Sequence, residues 1–181
     1  MVKSLFKPTY YINKIWNITP KSLGFLGVNT ILADLDNTLV AWNQPKGDRN
    51  FFIWHQKLSH NGIKLIVVSN NSTRRVRKAV SNLGVQFESW SLKPLPFGVN
   101  RTLRDFHLSK KEVLMVGDQI MTDIIAANLT GLKSALVKPL LQSDSIITKF
   151  NRNLEKVLTK KNKIKWKNDL IDFSKNSENK Y

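Results

Sequence analysis

The chain has no cysteine. That absence excludes disulfides, thiolate–zinc sites and thiol-nucleophile chemistry together, and it suits a reducing compartment. No stretch approaches eighteen consecutive apolar residues, so a membrane-spanning helix is not expected. The N-terminal MVKSLFKPTYY lacks the apolar core and small-residue cleavage site of a signal peptide. A cytoplasmic protein is expected, at most peripheral at the inner face of a membrane. Acids are scarce too: 13 Asp+Glu stand against 29 Lys+Arg, a formal charge of +16. Residues 1–30 contain no acid, and Asp34 is the first. Such a surface attracts polyanions, either nucleic acid or an anionic bilayer. It says nothing about the fold. With so few acids, the places where they cluster become informative.

What is present in quantity is short apolar runs alternating with helix-spaced segments. Ile31-Leu32-Ala33-Asp34 reads as a buried strand with a carboxylate at its C-terminal end. Residues 51–60 read as a helix with Phe52, Trp54, His55 and Leu58 near one side. Lys64 to Val68 is a second buried strand, ending at Ser69-Asn70. Val76, Ala79, Val80 and Leu83 mark an amphipathic helix closed by Gly84. A brief strand at Val85–Phe87 precedes Lys93-Pro94, and residues 97–107 read as helix. Ser109 and Glu112 resemble a capping box. Val113 to Val116 is a third buried strand, ending in Gly117-Asp118. A helix over 122–130 stops at Gly131, and Ser134 to Val137 is a last strand. This alternation predicts an α/β fold, a parallel sheet with helices on both faces. Ligands in such sheets bind beyond the carboxyl ends of the strands.

The ends of the chain differ from this body. In residues 1–30, a basic segment packed on or near the core, Tyr11, Ile12, Ile15 and Trp16 fall at helical spacing. That stripe fits either a bilayer interface or the face of the sheet. Pro20 can open a short helical turn. Residues 31–147 form the core unit. Residues 148–181 form a basic extension, in which 159–167 is a lysine-rich run and the final SKNSENKY reads as disordered.

Four of the thirteen acids sit at two predicted strand ends: Asp34 and Asp36 after one, Asp118 and Asp123 after the other. Carboxylates beside a buried strand are costly unless a cation compensates. An oxygen-ligated divalent ion, Mg²⁺ by default, would gather them. Lys93 is the candidate cationic side chain, and Ser69 and Asn70 offer hydroxyl, amide and backbone donors.

Asp34-x-Asp36-x-Thr38, Ser69 after its strand, Lys93-Pro94 and Gly117-Asp118-x4-Asp123 stand in the order and spacing of the four motifs of the haloacid dehalogenase (HAD) superfamily, which the chain resembles. LADLDNTLVAW at 32–42, SNNS at 69–72, VGDQIMTD at 116–123 and the upstream Pro8-Thr9-Tyr10-Tyr11 are similar to the YqeG family of subclass IIIA phosphatases. These in turn resemble mitochondrial phosphatidylglycerophosphate phosphatases. The likeness spans roughly residues 5–140. It implies a three-layer Rossmann-like HAD fold and phosphomonoester hydrolysis with Mg²⁺. It implies Asp34 as nucleophile and Asp36 as acid and base. Metal ligation would come from Asp34, the Asp36 carbonyl and Asp118, with Asp123 in support. Ser69, Asn70 and Lys93 would hold the phosphoryl group.

Only 32 residues separate Asp36 from Ser69, and 23 separate Ser69 from Lys93. Neither gap holds a cap domain beyond its required helix, so an open site is expected. That suits a large phosphorylated substrate, first a phosphatidylglycerophosphate-like lipid, with a nucleic-acid terminal phosphate as the alternative. A non-enzymatic basic RNA-binding module is the remaining rival. Arg74, Arg75, Arg77 and Lys78 read first as a solvated helix face, with contact to an anionic surface near the site as the alternative. Trp42 fits either the substrate mouth or the core.

Overall fold

The structure, a computed structural model, describes residues 5–41, 49–141 and 166–171. Among the described residues, six parallel strands form one sheet: β1 (Tyr10–Ile12), β2 (Thr30–Ala33), β3 (Lys64–Val68), β4 (Gln86–Glu88), β5 (Val113–Gly117) and β6 (Lys133–Val137), in the order β1-β6-β5-β2-β3-β4. The described α-helices that connect them are α1 (Pro20–Phe25), α2 (Arg49–His60), α3 (Thr73–Val80), α4 (Phe97–Asp105) and α5 (Ile125–Thr130).

The central strands are apolar on both faces because both faces are covered. Ile31, Ala33, Leu65, Val67, Leu114 and Val116 pack with Leu23 of α1, Phe51, Trp54 and Leu58 of α2, and Val76 and Val80 of α3. Their neighbours Leu32, Ile66, Val68, Val113 and Met115 point the other way, against Val99 and Leu103 of α4 and Ala126 and Ala127 of α5. The three layers and their Rossmann-like topology are those expected, and no cap is seen among the described residues. None of the described helices is long and apolar enough to cross a membrane.

Several local expectations need correction. The Tyr11–Trp16 stripe is not a helix: Tyr10–Ile12 is the edge strand β1, and Ile15–Asn17 is one 3₁₀ turn. The open backbone of β6 offers ladder bonds, and pairing Tyr11 with Leu136 outweighs a local helical period. The segment packs on the sheet, with Ile12, Ile15 and Ile18 almost fully buried. Trp54 fixes it by donating its indole N–H to the Ile18 carbonyl at 2.8 Å. In α2 it is Phe51, not Phe52, that joins Trp54 and Leu58 in the core, a cleaner i, i+3, i+7 stripe. The Ser109 side chain makes no capping bond to its 3₁₀ turn; a capping box forms instead between Thr19 and Ser22, at the start of α1. The expected helix at 122–130 begins instead as a π-turn over Ile120–Ile124 before α5.

Part of the C-terminal extension returns to the body. Lys167 N donates to Tyr11 O and Asn13 N to Lys167 O, both at 2.9 Å. Trp166 meets Tyr11 edge-on, and Leu170 is buried with the first core layer. Trp42, most of the lysine-rich run and SKNSENKY lie outside the described residues.

Candidate active site

After the edge strand β1 the chain crosses to the middle of the sheet at β2, moves outward through β3 and β4, then returns to the other side of β2 as β5. The carboxyl end of β2 is therefore the point where the winding reverses, the crevice where open α/β sheets bind ligands. Asp34 stands there, its N–H continuing the ladder to Val116 O at 2.9 Å. Asp118 follows the adjacent end of β5, and Ser69 follows β3.

Lys93 comes from the loop after β4 and fills the space between these ends. Its ammonium donates three hydrogen bonds of 2.7 Å, to Asp34 Oδ1, Asp123 Oδ1 and the Val68 carbonyl. Asp34, Asp118 and Asp123 each bring one carboxylate oxygen within 4.8 Å of the others. Three carboxylates around one lysine leave excess negative charge. Burial pushes the Asp34 carboxyl up to about 7 against the pull of Lys93, and Asp123 and Asp36 add to the rise. Burial pulls Lys93 down, but the flanking carboxylates Asp123 and Asp34 outweigh it and hold the ammonium above the ordinary lysine range.

The donor set is all oxygen and over-supplied with negative charge, which fits a hard divalent cation. Asp34 and Asp118 could hold such an ion. Asp123 is more committed: its Oδ2 accepts from Gln119 N at 3.1 Å while Oδ1 takes Lys93. Its place depends on Gly117, where an added Cβ would lie 2.2 Å from Asp123 Oδ2. Thr38 donates to Asp118 Oδ1 at 3.2 Å.

Asp36 sits at the rim, half-buried. Asn71 Nδ2 donates to its Oδ2 at 2.7 Å, and Arg75 pairs with its Oδ1 at 3.0 Å. Arg75 is thus not merely a solvated residue of its helix. It lines, with Ser72, Arg74 and Lys78, a groove of about 370 Å³ that opens beside Asp36.

The Ser69 hydroxyl is buried and accepts from the backbone N–H and side-chain amide of Asn71, each at 3.2 Å. Asn70 turns away from this cluster. Its Nδ2 donates to Lys93 O, and its Oδ1 accepts from Lys93 N and Ser91 Oγ, all at 2.7 Å. The side chain of Asn70 builds the Lys93 loop, so only its backbone N–H remains to meet a phosphoryl oxygen. Sequence reading missed Asn71, Thr38 and the packing role of Gly117. The available signal was position: α3 starts right after the end of β3, which puts its first turn over the crevice.

Residues 92–153 match the HAD-hydrolase-like family. The probable phosphatase YqeG of Bacillus subtilis (strain 168) is 37% identical over 170 residues, covering 92% of this chain and 99% of that protein. The chain belongs to the YqeG family. As a YqeG-family protein it is a HAD-type phosphatase. A match over 92% of the chain cannot stop near residue 140, so the YqeG likeness runs into the C-terminal extension and is wider than the motifs alone suggest. An uncharacterized protein from Listeria monocytogenes serotype 4b has a similar fold, with TM-score 0.53 and 20% identity over 66% of this chain and 85% of that one.

Proposed function

We propose that this YqeG-family phosphatase is a Mg²⁺-dependent phosphomonoester hydrolase working through an aspartyl-phosphate on Asp34. The observation that carries the reading is the meeting of Asp34, Asp118, Asp123 and Lys93 at the switch point of the sheet. Asp34 attacks phosphorus, and the bond to the leaving oxygen breaks as Asp36 gives that oxygen its proton. Water then attacks phosphorus, Asp36 takes its proton, and orthophosphate leaves with Asp34 restored. Arg75 and Asn71 both direct hydrogens at Asp36, which fixes the orientation of its carboxyl group at the rim.

Asp34, Asp118 and the carbonyl of Asp36 would hold Mg²⁺, with Asp123 in support. When bound, the ion supplies positive charge against the repulsion between a carboxylate and a phosphate dianion, about 8 kcal/mol at ~4 Å and effective ε ~20. The Ser69 hydroxyl, the Asn70 N–H and Lys93 hold the phosphoryl oxygens. Lys93 does so by exchanging one of its three present bonds.

The open mouth suits a large substrate, first a phosphatidylglycerophosphate-like lipid monoester met at the inner face of an anionic membrane. Phosphate release by wild type and Asp34→Asn, with Mg²⁺ and then with EDTA, is the test. Equal turnover by both proteins rejects the nucleophile, and turnover indifferent to EDTA rejects the metal. Running the lipid beside a 3′-phosphorylated oligonucleotide decides the substrate class.

A further inference from the structure

The loop that delivers Lys93 has two opposite faces. Ser91 and Lys93 point inward and are almost fully buried, while Trp90, Leu92, Leu95 and Phe97 point outward and are 57%, 55%, 49% and 63% exposed. The alternation is built in. Trp90 N bonds Asn71 O and Ser91 N bonds Ser69 O, each at 3.0 Å, so the loop is moored to the residues after β3. Gly98 lies so close beneath it that a Cβ there would stand 2.3 Å from Ser91 Cα. Trp90 and Leu92 have φ of 50° and 57°, a left-handed conformation that bulky side chains rarely adopt, and it is the one that turns both outward. Four large apolar groups thus crown the mouth of the site on a rigid loop, the kind of patch that marks an interaction surface.

The flanks are basic. Thr73, at the start of α3, hydrogen-bonds Ser89 at 2.7 Å, which brings the Arg74–Lys78 face beside the loop. Arg101 bonds the Ser89 carbonyl from the other side. Between Asn70 and Arg104 there are six basic residues and one acid, Glu88, which Arg101 already pairs.

We infer that Trp90, Leu92, Leu95 and Phe97 dock this protein on an anionic lipid bilayer, apolar tips in the interface and the α3 cations on the headgroups. Apolar groups with surrounding cations are the pattern of interfacial binding. A nucleic acid could stack on Trp90 and Phe97, but it has no use for Leu92 and Leu95. A second copy would set one basic rim against another. The N-terminal stripe is unavailable for the purpose, being packed on the sheet. The purpose of the contact rests on the lipid reading above; its test does not, because vesicle binding needs no turnover.

Full-length protein is floated with phosphatidylcholine vesicles and with vesicles containing about 30% phosphatidylglycerol. Wild type should bind the anionic vesicles, and Leu95→Ser/Phe97→Ser should weaken that binding about tenfold or more. The pair should leave hydrolysis of soluble p-nitrophenyl phosphate unchanged, and Trp90→Ser gives an independent arm should the pair unfold. Failure of wild type to bind anionic vesicles overturns the inference. So does equal binding by wild type and both variants, which would leave charge alone at work. Oligonucleotide binding that is lost in the same variants, without vesicle binding, would assign the crown to nucleic acid instead. If soluble phosphatase activity is absent while vesicle binding follows the expected pattern, the catalytic reading fails and the docking surface stands.

Discussion

Replacing Lys93 by Met should destabilise the metal-free protein by about 3–5 kcal/mol, the usual cost of removing one partner from a buried ion pair. Met fills nearly the same volume, so the loss is electrostatic rather than a cavity. The Lys93 side chain is 2% exposed, and its ammonium bonds two carboxylates at 2.7 Å. At ~4 Å between charge centres and effective ε ~20, each pair is worth about 4 kcal/mol before desolvation, so two give about 8 gross. The variant need not bear all of it. The Asp34 carboxyl is already pushed up to about 7, and without Lys93 it takes a proton more readily. The net therefore falls to the lower range. For a chain of this size, a cost near 3 kcal/mol lowers Tm by roughly 6–12 °C. Urea unfolding in EDTA, followed by tryptophan fluorescence, measures it. Asp34→Asn in the Lys93→Met background removes the unpaired charge, so the double variant should recover at least about 1 kcal/mol relative to additivity. Lys93→Met within about 1 kcal/mol of wild type, or strict additivity in the cycle, would show that this lysine does not neutralise the cluster.

Two further outcomes follow from the same cluster. The folded Asp34 carboxyl titrates near 7, above its ordinary value of 3.8, so the metal-free native state holds the extra proton. Its contribution to stability is present below pH ~4 and lost as pH rises through ~7, up to about 4 kcal/mol. Unfolding free energies in EDTA at pH 5 and pH 8 should show this fall in wild type relative to Asp34→Asn, and a matching slope in both proteins would contradict it. Gly117→Ala places a methyl group against the Asp123 carboxylate. It should cost about 1–3 kcal/mol through lost bonds to Lys93 and Gln119, and about 10–100-fold in phosphate release if Asp123 supports the metal. Full activity with Mg²⁺ would free Asp123 of that role.

What could be read from the sequence, and what could not, divides along a physical line. Thr30–Ala33, before Asp34, and Val113–Gly117, before Asp118, are apolar at every interior position, a pattern that only a strand covered on both faces requires over so short a run. Once those strands are placed, the carboxylates after them are carried to one end of the sheet, and the meeting of Asp34 with Asp118 follows. Tyr11–Trp16 carried no such demand. Its four apolar residues suit a helix face or an edge strand almost equally, and the choice was made by β6, more than a hundred residues away. Lys167 is a further step along: nothing near it in the chain announces a bond to Tyr11, whose partner is set by that same edge.

The site repeats the division. Asp34 and Asp118 were legible because burial beside a strand makes a carboxylate conspicuous. Arg75 and Asn71 were not, because exposed polar residues at a helix start have many permissible partners. Only the direction in which β3 hands the chain to α3 selects Asp36 from among them. Lys93 lies between the two cases. Its residue type and its proline neighbour stood out, while the loop that aims it depends on Asn70, whose amide is spent on that loop. The side chains proposed to do the chemistry are thus set by local demands that a sequence displays. Those holding them in aim are set by returns of the chain that it does not, and the apolar crown around Lys93, a chain stretch with no helical or strand period, belongs to the second kind.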